Sequence, residues 1–252
     1  MTAAAGPAAL HITAIPTPFF AANCYVVHVE GADRALVVDP SAGVQDQIHA
    51  ALTQSSTSVG AVLLTHGHPD HIWDAAEVQT WTGPGATTGD PAPVWLPGPD
   101  MYRMDDPTSF VQPLPADLTV DWRKPVDLRE VPGATHEYLP GLRLLMIPAP
   151  GHTEGSAIFL GEGPLTVSAL GATSVEAEAS APWAFSGDVV FAGSVGRTDL
   201  SGGDEVQMRH TLRTLANALD PATVLLPGHG THTTMEIEKR VNPYLRRAME
   251  LG

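Results

Sequence analysis

The chain of 252 residues has a single cysteine, Cys24, and only 13 lysines and arginines against 28 aspartates and glutamates. One cysteine excludes an internal disulfide framework. The net charge of −15 argues against a face for nucleic acid or an anionic membrane, since both need clustered basic residues. The chain lacks an apolar run of about 18 residues, as a transmembrane helix requires, and residues 1–10 do not resemble a signal peptide. These absences predict a cytoplasmic protein.

The remaining composition is that of a folded chain rich in turns. Apolar residues make up 43% of the sequence, which is enough to bury a core, and 24 glycines and 23 prolines indicate many loops. At this length one domain is the default. We therefore predict a loose Ala-rich tail over residues 1–9 and a single domain over residues 10–252. Eleven histidines beside 13 lysines and arginines favour metal chemistry.

Apolar patterning predicts alternating strands and helices. We expect strands at residues 12–15, 23–30, 35–38, 60–65, 94–96, 142–147, 156–160, 184–186 and 223–226. We expect helices at residues 44–52, 72–80, 204–219 and 235–249. Eleven of the 23 prolines fall within residues 83–141, which excludes long helices there. Residues 163–182 have little periodicity and are interpreted as an inserted loop that holds at most a strand at 165–168.

The strongest motif is His-x-His-x-Asp-His over residues 66–71. Imidazole and carboxylate are good ligands for zinc, iron or manganese. His66 and His68 follow a strand two residues apart, so both rings can point the same way. Asp70 and His71 begin the next helix and project differently, which suits a second ion. Four ligand-type residues within six positions favour a metal site over surface histidines or a helix cap.

Three more ligand-type residues follow a glycine after an apolar run. They are His152 in Pro-Gly-His, Asp188 in Ser-Gly-Asp and His229 in Pro-Gly-His. Any one of them is equally well explained as an ordinary turn residue. Together with the first motif they make seven ligand-type residues at strand ends, enough to hold two ions.

The motif and residues 186–204 resemble the metallo-β-lactamase superfamily, and within it the glyoxalase II-like (hydroxyacylglutathione hydrolase-like) branch. The resemblance extends over about residues 23–245. It implies an α/β fold, a four-layer αββα sandwich in one domain, with two divalent ions, zinc before iron or manganese. It also implies how the ligands divide: His66, His68 and His152 at site one, Asp70, His71 and His229 at site two, and Asp188 bridging both.

The resemblance implies a reaction and supporting residues as well. A metal-bridging hydroxide would attack the carbonyl of a small thioester such as S-lactoylglutathione, with Asp70 assisting proton handling. Asp39 would orient a ligating imidazole, although a turn aspartate before proline is the alternative reading. Arg197 and Asp199 would pair and fix the loop after Asp188. Cys24 is expected to be a buried apolar residue rather than a ligand, which weighs against β-lactamase activity.

Other functions stay open at this point. A persulfide dioxygenase of the same fold uses one iron and retains the same residue types. A lactonase or another ester hydrolase is less favoured. A metal-binding scaffold without activity would predict damaged ligands, and none is damaged. Trp95, Tyr102 and Trp122 either line a substrate cleft or simply pack locally, which we favour.

Overall fold

A computed structural model describes residues 9–82, 90–110, 121–169, 172–177 and 182–250. The strands are β1 (Leu10–Pro16), β2 (Asn23–Val29), β3 (Arg34–Val38), β4 (Ser58–Leu63), β5 (Val94–Leu96), β6 (Leu128–Glu130), β7 (Thr135–Leu139), β8 (Leu142–Pro148), β9 (Ala157–Glu162), β10 (Leu165–Ala169), β11 (Ala172–Ala177), β12 (Pro182–Gly187), β13 (Val190–Phe191), β14 (Ser194–Val195), β15 (Val224–Pro227) and β16 (Thr233–Thr234). The helices are α1 (Gln45–Ser55), α2 (Pro69–Ile72), α3 (Ala75–Val78), α4 (Glu205–Ala218), α5 (Met235–Val241) and α6 (Pro243–Glu250), and 3₁₀ turns lie at Gly98–Met104 and Pro107–Ser109.

The strands form two large sheets and one small hairpin. The first sheet has eight strands in the order β11-β10-β1-β2-β3-β4-β5-β6. The second has six in the order β16-β15-β12-β9-β8-β7, and β13 pairs with β14 alone. Parallel pairing of β3 with β4, and of β12 with β15, directs the carboxyl ends of these strands to common edges.

The two sheets pack face to face, and helices cover both outer faces. In β3, Leu36 and Val38 face the core between the sheets, whereas Val37 faces the layer of α1 to α3. Because both faces are buried, β3 has the continuous apolar sequence from which the strand was predicted. Leu212 of α4 and Leu245 of α6 pack with Leu225 on the outer face of the second sheet. The predicted αββα sandwich is confirmed.

The helix predicted over residues 72–80 is wrong. Instead, α2 ends at Ile72 and α3 begins at Ala75. The amide of Asp74 donates to Pro40 O at 2.9 Å, and its carboxylate accepts from the amide of Gly43 at 3.3 Å. Hydrogen bonds to the segment after β3 therefore interrupt the helix, and helical spacing alone does not reveal them.

One further prediction needs correction in part. Residues 163–182 are predicted as an inserted loop that holds at most a strand at 165–168, and that strand is confirmed as β10, with Leu165 opposite Leu10 of β1. The second strand, β11, is not predicted, and both strands extend the first sheet. Residues 235–249, predicted to be helical around Pro243, form the two helices α5 and α6, and α6 begins at that proline. Asn242 between them is extended at ψ 116°, as the residue before a proline prefers. The predicted tail lies outside the described residues except for residue 9.

Among the residues that the structure describes, none of the helices combines the length and the apolar character that a bilayer span requires.

Cys24 is fully buried in β2 beneath the α1 layer, in agreement with its predicted role as a small apolar residue. Trp122 packs on the same cluster and donates its indole N–H to Met104 O at 3.2 Å, so its contacts are those of local packing.

Candidate metal centre

The ends of strands from both sheets meet at one edge of the sandwich. The amide of Gly228, after β15, donates to Gly187 O of β12 at 2.9 Å, and the amide of Asn23 donates to Gly228 O at 2.7 Å. The amide of Ala157 likewise donates to Thr65 O at 3.2 Å. The first bond lies within the second sheet, and the other two join the sheets at one edge. All seven predicted ligands lie there, namely His66, His68, Asp70 and His71 after β4, His152 after β8, Asp188 after β12 and His229 after β15.

Three histidines form the first ligand group. The ligand atoms of His66, His68 and His152 lie within 4.8 Å of one another, and all three residues are buried. His68 Nδ1 and His152 Nε2 are only 2.7 Å apart. Two imidazole nitrogens at this distance need a shared proton or a shared cation between them. The arrangement matches the division that the sequence resemblance implies for site one.

Asp70, His71 and His229 form the second group, again within 4.8 Å. His229 Nε2 lies 3.4 Å from Asp70 Oδ2, and His71 Nε2 lies 3.6 Å from the same oxygen. Asp188 stands between the groups. Its carboxylate oxygens lie 3.4 Å from the Nε2 atoms of His71, His152 and His229. One carboxylate thus faces both groups, which is the position of a bridging ligand.

Outer hydrogen bonds orient the ligating rings. Asp39 Oδ2 lies 2.9 Å from His71 Nδ1 and accepts from Thr65 Oγ1 at 2.7 Å. Arg197 O lies 2.7 Å from His152 Nδ1, and Ala21 O lies 3.1 Å from His229 Nδ1. An acceptor at Nδ1 places the proton there and leaves Nε2 free for a metal. Asp39 holds a left-handed backbone, φ 50°, which Asp adopts more readily than most residues.

The donor atoms fit divalent ions. His66 Nε2, His71 Nε2 and Asp188 Oδ1 are buried and have no hydrogen-bond partner, although burying a polar group without one costs several kcal/mol (about 2–7). Imidazole nitrogens and carboxylate oxygens are the donors that zinc, iron and manganese accept. The histidine and aspartate clusters therefore suit a dinuclear metal site. The metal's identity does not follow from this donor set.

The histidine pKa values differ between the two ligand groups: they are lowered for His68 in the first group and raised for His71 and His229 in the second. Burial, with His152 beside it, lowers the pKa of His68 to about 3. Burial also lowers the pKa of His71, but the carboxylates of Asp188, Asp70 and Asp39 outweigh it and raise the pKa to about 9. Burial also lowers the pKa of His229, but the hydrogen bonds that its ring donates to the carboxylates of Asp188 and Asp70 outweigh it and raise the pKa to about 11. Without metal, His68 is neutral at pH 7, whereas His71 and His229 are protonated.

Metal binding is therefore expected to release protons. The pKa values of about 9 for His71 and about 11 for His229 mean that both imidazoles lose a proton when they ligate at pH 7. Affinity should rise as pH rises, because fewer protons then compete. Calorimetric zinc titrations in buffers of different ionisation enthalpy should show release of about two protons per chain from these imidazoles, plus the proton that a metal-bound water gives up near neutral pH. His229→Ala should lose the ion that both imidazoles would ligate, so the release should fall by about two protons. A zinc affinity that is constant between about pH 6 and 8 would contradict the assignment.

A cavity of about 310 Å³ is lined in part by Arg197, whose carbonyl oxygen lies 2.7 Å from His152 Nδ1. Its lining also includes Arg209 and Glu205 of α4, which lie 3.6 Å apart, and Tyr244 and Arg247 of α6. Arg197 also pairs with Asp199, at 2.6 and 2.8 Å, and both side chains are exposed. Three arginines around one cavity are notable in a chain of net charge −15.

Sequence reasoning missed Thr65, Asp100 and Arg103. Thr65 bridges Asp39 and the His66 ring, whose Nδ1 lies 3.1 Å from Thr65 Oγ1. Asp100 and Arg103 are fully buried behind the ligand loops. A threonine directly before the motif was visible. Asp100 lies in a proline-rich segment without periodicity, and nothing in the sequence signals that it is buried.

Comparisons with known proteins agree with this geometry. The family model described as Metallo-beta-lactamase superfamily matches residues 17–164. An uncharacterized protein of Mycobacterium tuberculosis is 33% identical over 237 residues, which cover 93% of this chain and 97% of that protein. The hydroxyacylglutathione hydrolase GloC of Haemophilus influenzae is 27% identical over 239 residues, 94% of this chain and 98% of the relative.

A solved structure also resembles the chain. TTHA1623, described in a di-iron-bound form, has a TM-score of 0.65 and 26% sequence identity. The match covers 90% of this chain and 96% of that one. The neighbour's fold is therefore compatible with two metal ions side by side.

Proposed function

The chain belongs to the metallo-beta-lactamase superfamily, and from that premise we propose that it is a dinuclear metal-dependent hydrolase of thioesters, similar to glyoxalase II. One observation carries the proposal: Asp188 faces two complete ligand groups at 3.4 Å from the Nε2 atoms of His71, His152 and His229. The 27% identity to GloC over nearly the whole chain supports the substrate class.

The ligands divide between two ions, with zinc as the proposed metal. His66, His68 and His152 would hold one ion, and Asp70, His71 and His229 would hold the other, with Asp188 shared. Such a pair of ions supplies hydroxide at neutral pH and polarises the carbonyl of the substrate. Asp39 keeps the His71 ring in place through Nδ1, and Arg197 O does the same for His152.

The carboxylates are ligands rather than acids at neutral pH. Burial raises the pKa of Asp188, but the surrounding imidazoles of His71 and His152 outweigh it and hold the pKa well below its ordinary value. Burial also raises the pKa of Asp70, but the neighbouring His71 ring outweighs it, so the pKa of Asp70 is lowered as well. Both groups therefore stay ionised, and any proton that Asp70 handles is one it accepts. The leaving thiolate, with a solution pKa of about 8.5, needs no strong acid.

The cavity beside the centre supports an anionic thiol carrier. Arg197, Arg209 and Arg247 line it with one acid, Glu205, which lies 3.6 Å from Arg209 Nη1, so basic side chains exceed acidic ones there. The carbonyl of Arg197 reaches His152. Guanidinium groups recognise carboxylates. A carrier with free carboxylates, such as glutathione, matches this charge.

The test measures metal content and a panel of thioesters on protein purified without chelator. We expect about two zinc ions per chain. We also expect hydrolysis of S-lactoylglutathione in preference to the lactoyl thioester of the neutral carrier N-acetylcysteamine. One iron per chain, with oxygen uptake on glutathione persulfide and no thioester hydrolysis, would contradict the proposal and indicate a dioxygenase.

Arg247→Ala tests carrier recognition alone. We expect KM for S-lactoylglutathione to rise about three- to fivefold, the equivalent of one exposed ion pair, with kcat unchanged. The matched control is Arg246→Ala, an exposed neighbour outside the cavity lining. Steady-state kinetics on both variants provide the measurement. An equal rise in KM for the neutral N-acetylcysteamine thioester would contradict charge recognition.

A further inference from the structure

Asp100 is a buried carboxylate that accepts four hydrogen bonds. Its Oδ2 accepts from the amide of Gly67 and from Thr153 Oγ1, both at 2.7 Å. Its Oδ1 accepts from the amide of Gly155 at 2.8 Å and from Arg103 Nε at 3.3 Å. The residue is fully inaccessible to solvent. Burying a carboxylate is costly unless it is paired and hydrogen-bonded, and here all the donors come from three separate segments.

The donors belong to the two loops that carry site one. Gly67 lies between His66 and His68, and Thr153 directly follows His152. Asp100 itself lies in the 3₁₀ turn Gly98–Met104, outside both loops. The Asp100 carboxylate therefore joins the two loops, although it lies 33 residues from Gly67 and 53 residues from Thr153 in the sequence. None of its described hydrogen bonds reaches Asp70, His71 or His229.

Two glycines let the carboxylate come this close. A methyl group on Gly155 would lie 2.7 Å from both Asp100 Cβ and Asp100 Oδ1, and one on Gly67 would lie 3.2 Å from Asp100 Cβ. Each glycine thus presents a bare amide to the carboxylate. A larger residue at Gly155 or Gly67 would push its loop away from Asp100.

Arg103 reinforces the same junction. Its Nη2 donates to Glu154 Oε2 at 2.6 Å and to Ser201 O at 2.9 Å. The buried guanidinium supplies the countercharge that a buried carboxylate needs. Glu154 lies in the His152 loop, so Arg103 and Asp100 hold that loop at successive residues.

We propose that Asp100 is a positioning residue for site one, setting the spacing between the His66–His68 loop and the His152 loop. Asp100 would fix this spacing by accepting from the amide of Gly67, which lies between His66 and His68, and from the hydroxyl of Thr153, which follows His152. It does not act on site two, whose rings are held by Asp39 and by Ala21 O instead. The proposal rests on the dinuclear function proposed above, but its readout is metal affinity rather than turnover.

The experiment titrates zinc into the metal-free full chain against a chromophoric chelator. His152→Ala and His229→Ala serve as references that identify the affinity of each site. Asp100→Asn keeps the shape but leaves only one accepting oxygen, so one pair of donors loses its acceptor. We expect zinc affinity at site one to fall about 10- to 100-fold, as for other groups that orient metal ligands, with less than a threefold change at site two.

Three further variants separate positioning from general stability. Thr153→Val keeps the side-chain shape but removes the hydroxyl, which donates to Asp100 Oδ2 at 2.7 Å and also lies 2.8 Å from Ser156 Oγ. It should weaken site one about three- to tenfold. Thr153→Ser retains the hydroxyl and should restore the affinity. Asp105→Asn changes an exposed carboxylate that pairs with Lys124 at 2.6 Å, and both sites should be unaffected.

Selective weakening of site one in Asp100→Asn and Thr153→Val, with recovery in Thr153→Ser, supports the proposal. Equal weakening of both sites, or an unchanged site one, overturns it. If Asp100→Asn does not fold, the Thr153 pair decides: equal affinities in the valine and serine variants overturn the proposal. A chain that binds zinc as expected but does not hydrolyse thioesters fails the proposed function and leaves this inference standing.

Discussion

Asp188→Ala is expected to lose both metal ions and all measurable thioester hydrolysis. Asp188 is the one ligand-type residue within 3.4 Å of Nε2 atoms in both groups, so no other described carboxylate replaces it. Removing it also leaves the Nε2 atoms of His71 and His229 without their strongest countercharge. Since bound metal lowers the pKa of water from about 15.7 to about 7, we expect kcat/KM to fall by at least about 10⁴-fold.

The measurement is metal stoichiometry together with kcat/KM for S-lactoylglutathione. His229→Ala is the graded comparison and should lose mainly one ion, because His229 faces only the second group. Asp121→Ala, a change at an exposed aspartate, controls for the loss of a negative charge. An Asp188→Ala protein that retains two ions would contradict the bridging role.

The convergence of the seven ligand-type residues was predictable because their chemistry is concentrated in the sequence. Four of them lie within six positions, and the other three each follow a glycine after an apolar run. Strand ends at one edge of a sandwich are close in space, so such residues converge without any contact being known in advance. Asp39 could be placed only by resemblance, and its bond to His71 depends on parallel pairing of β3 with β4.

Asp100 could not be predicted because its role depends on backbone amides. Gly67 and Gly155 donate through groups that every residue except proline carries, so no residue type marks the contact. The break after α2 has the same origin. Asp74 bonds to the segment after β3, and this tertiary contact outweighs the helical spacing of the apolar residues.

Strand β10 could be predicted from its sequence, but its pairing partner could not. Leu165 and Val167 are buried while Thr166 and Ser168 are half-buried, the alternation of a strand with one buried face. This spacing predicts a strand but not its neighbour. Leu165 pairs with Leu10 of the parallel strand β1, 155 residues away in sequence, and alternation contains no information about pairing over that distance.

Gly228, which has no side chain, packs directly against two of the ligand-type residues, Asp188 and His71. Its position beside β12 is fixed by the bond from its amide to Gly187 O at 2.9 Å. A methyl group there would overlap Asp188 Oδ1 and would lie 2.9 Å from His71 Cε1. The backbone of Gly228 is not left-handed, so alanine has no conformational difficulty and the obstacle is contact alone. Neither Asp188 nor His71 can retreat, because both are buried among the other ligands.

Gly228→Ala is therefore expected to lose both ions although every ligand atom is still present. We expect activity to fall by at least about 10³-fold, since the nucleophile depends on the metals. Gly230→Ala is the matched control, because a methyl group there meets nothing within 4 Å. Its left-handed backbone, φ 78°, should cost about 1–2 kcal/mol of stability without loss of metal. Metal analysis and thermal melting of the two variants separate contact from strain, and a Gly228→Ala protein with two ions and normal activity would show that Asp188 is free to move.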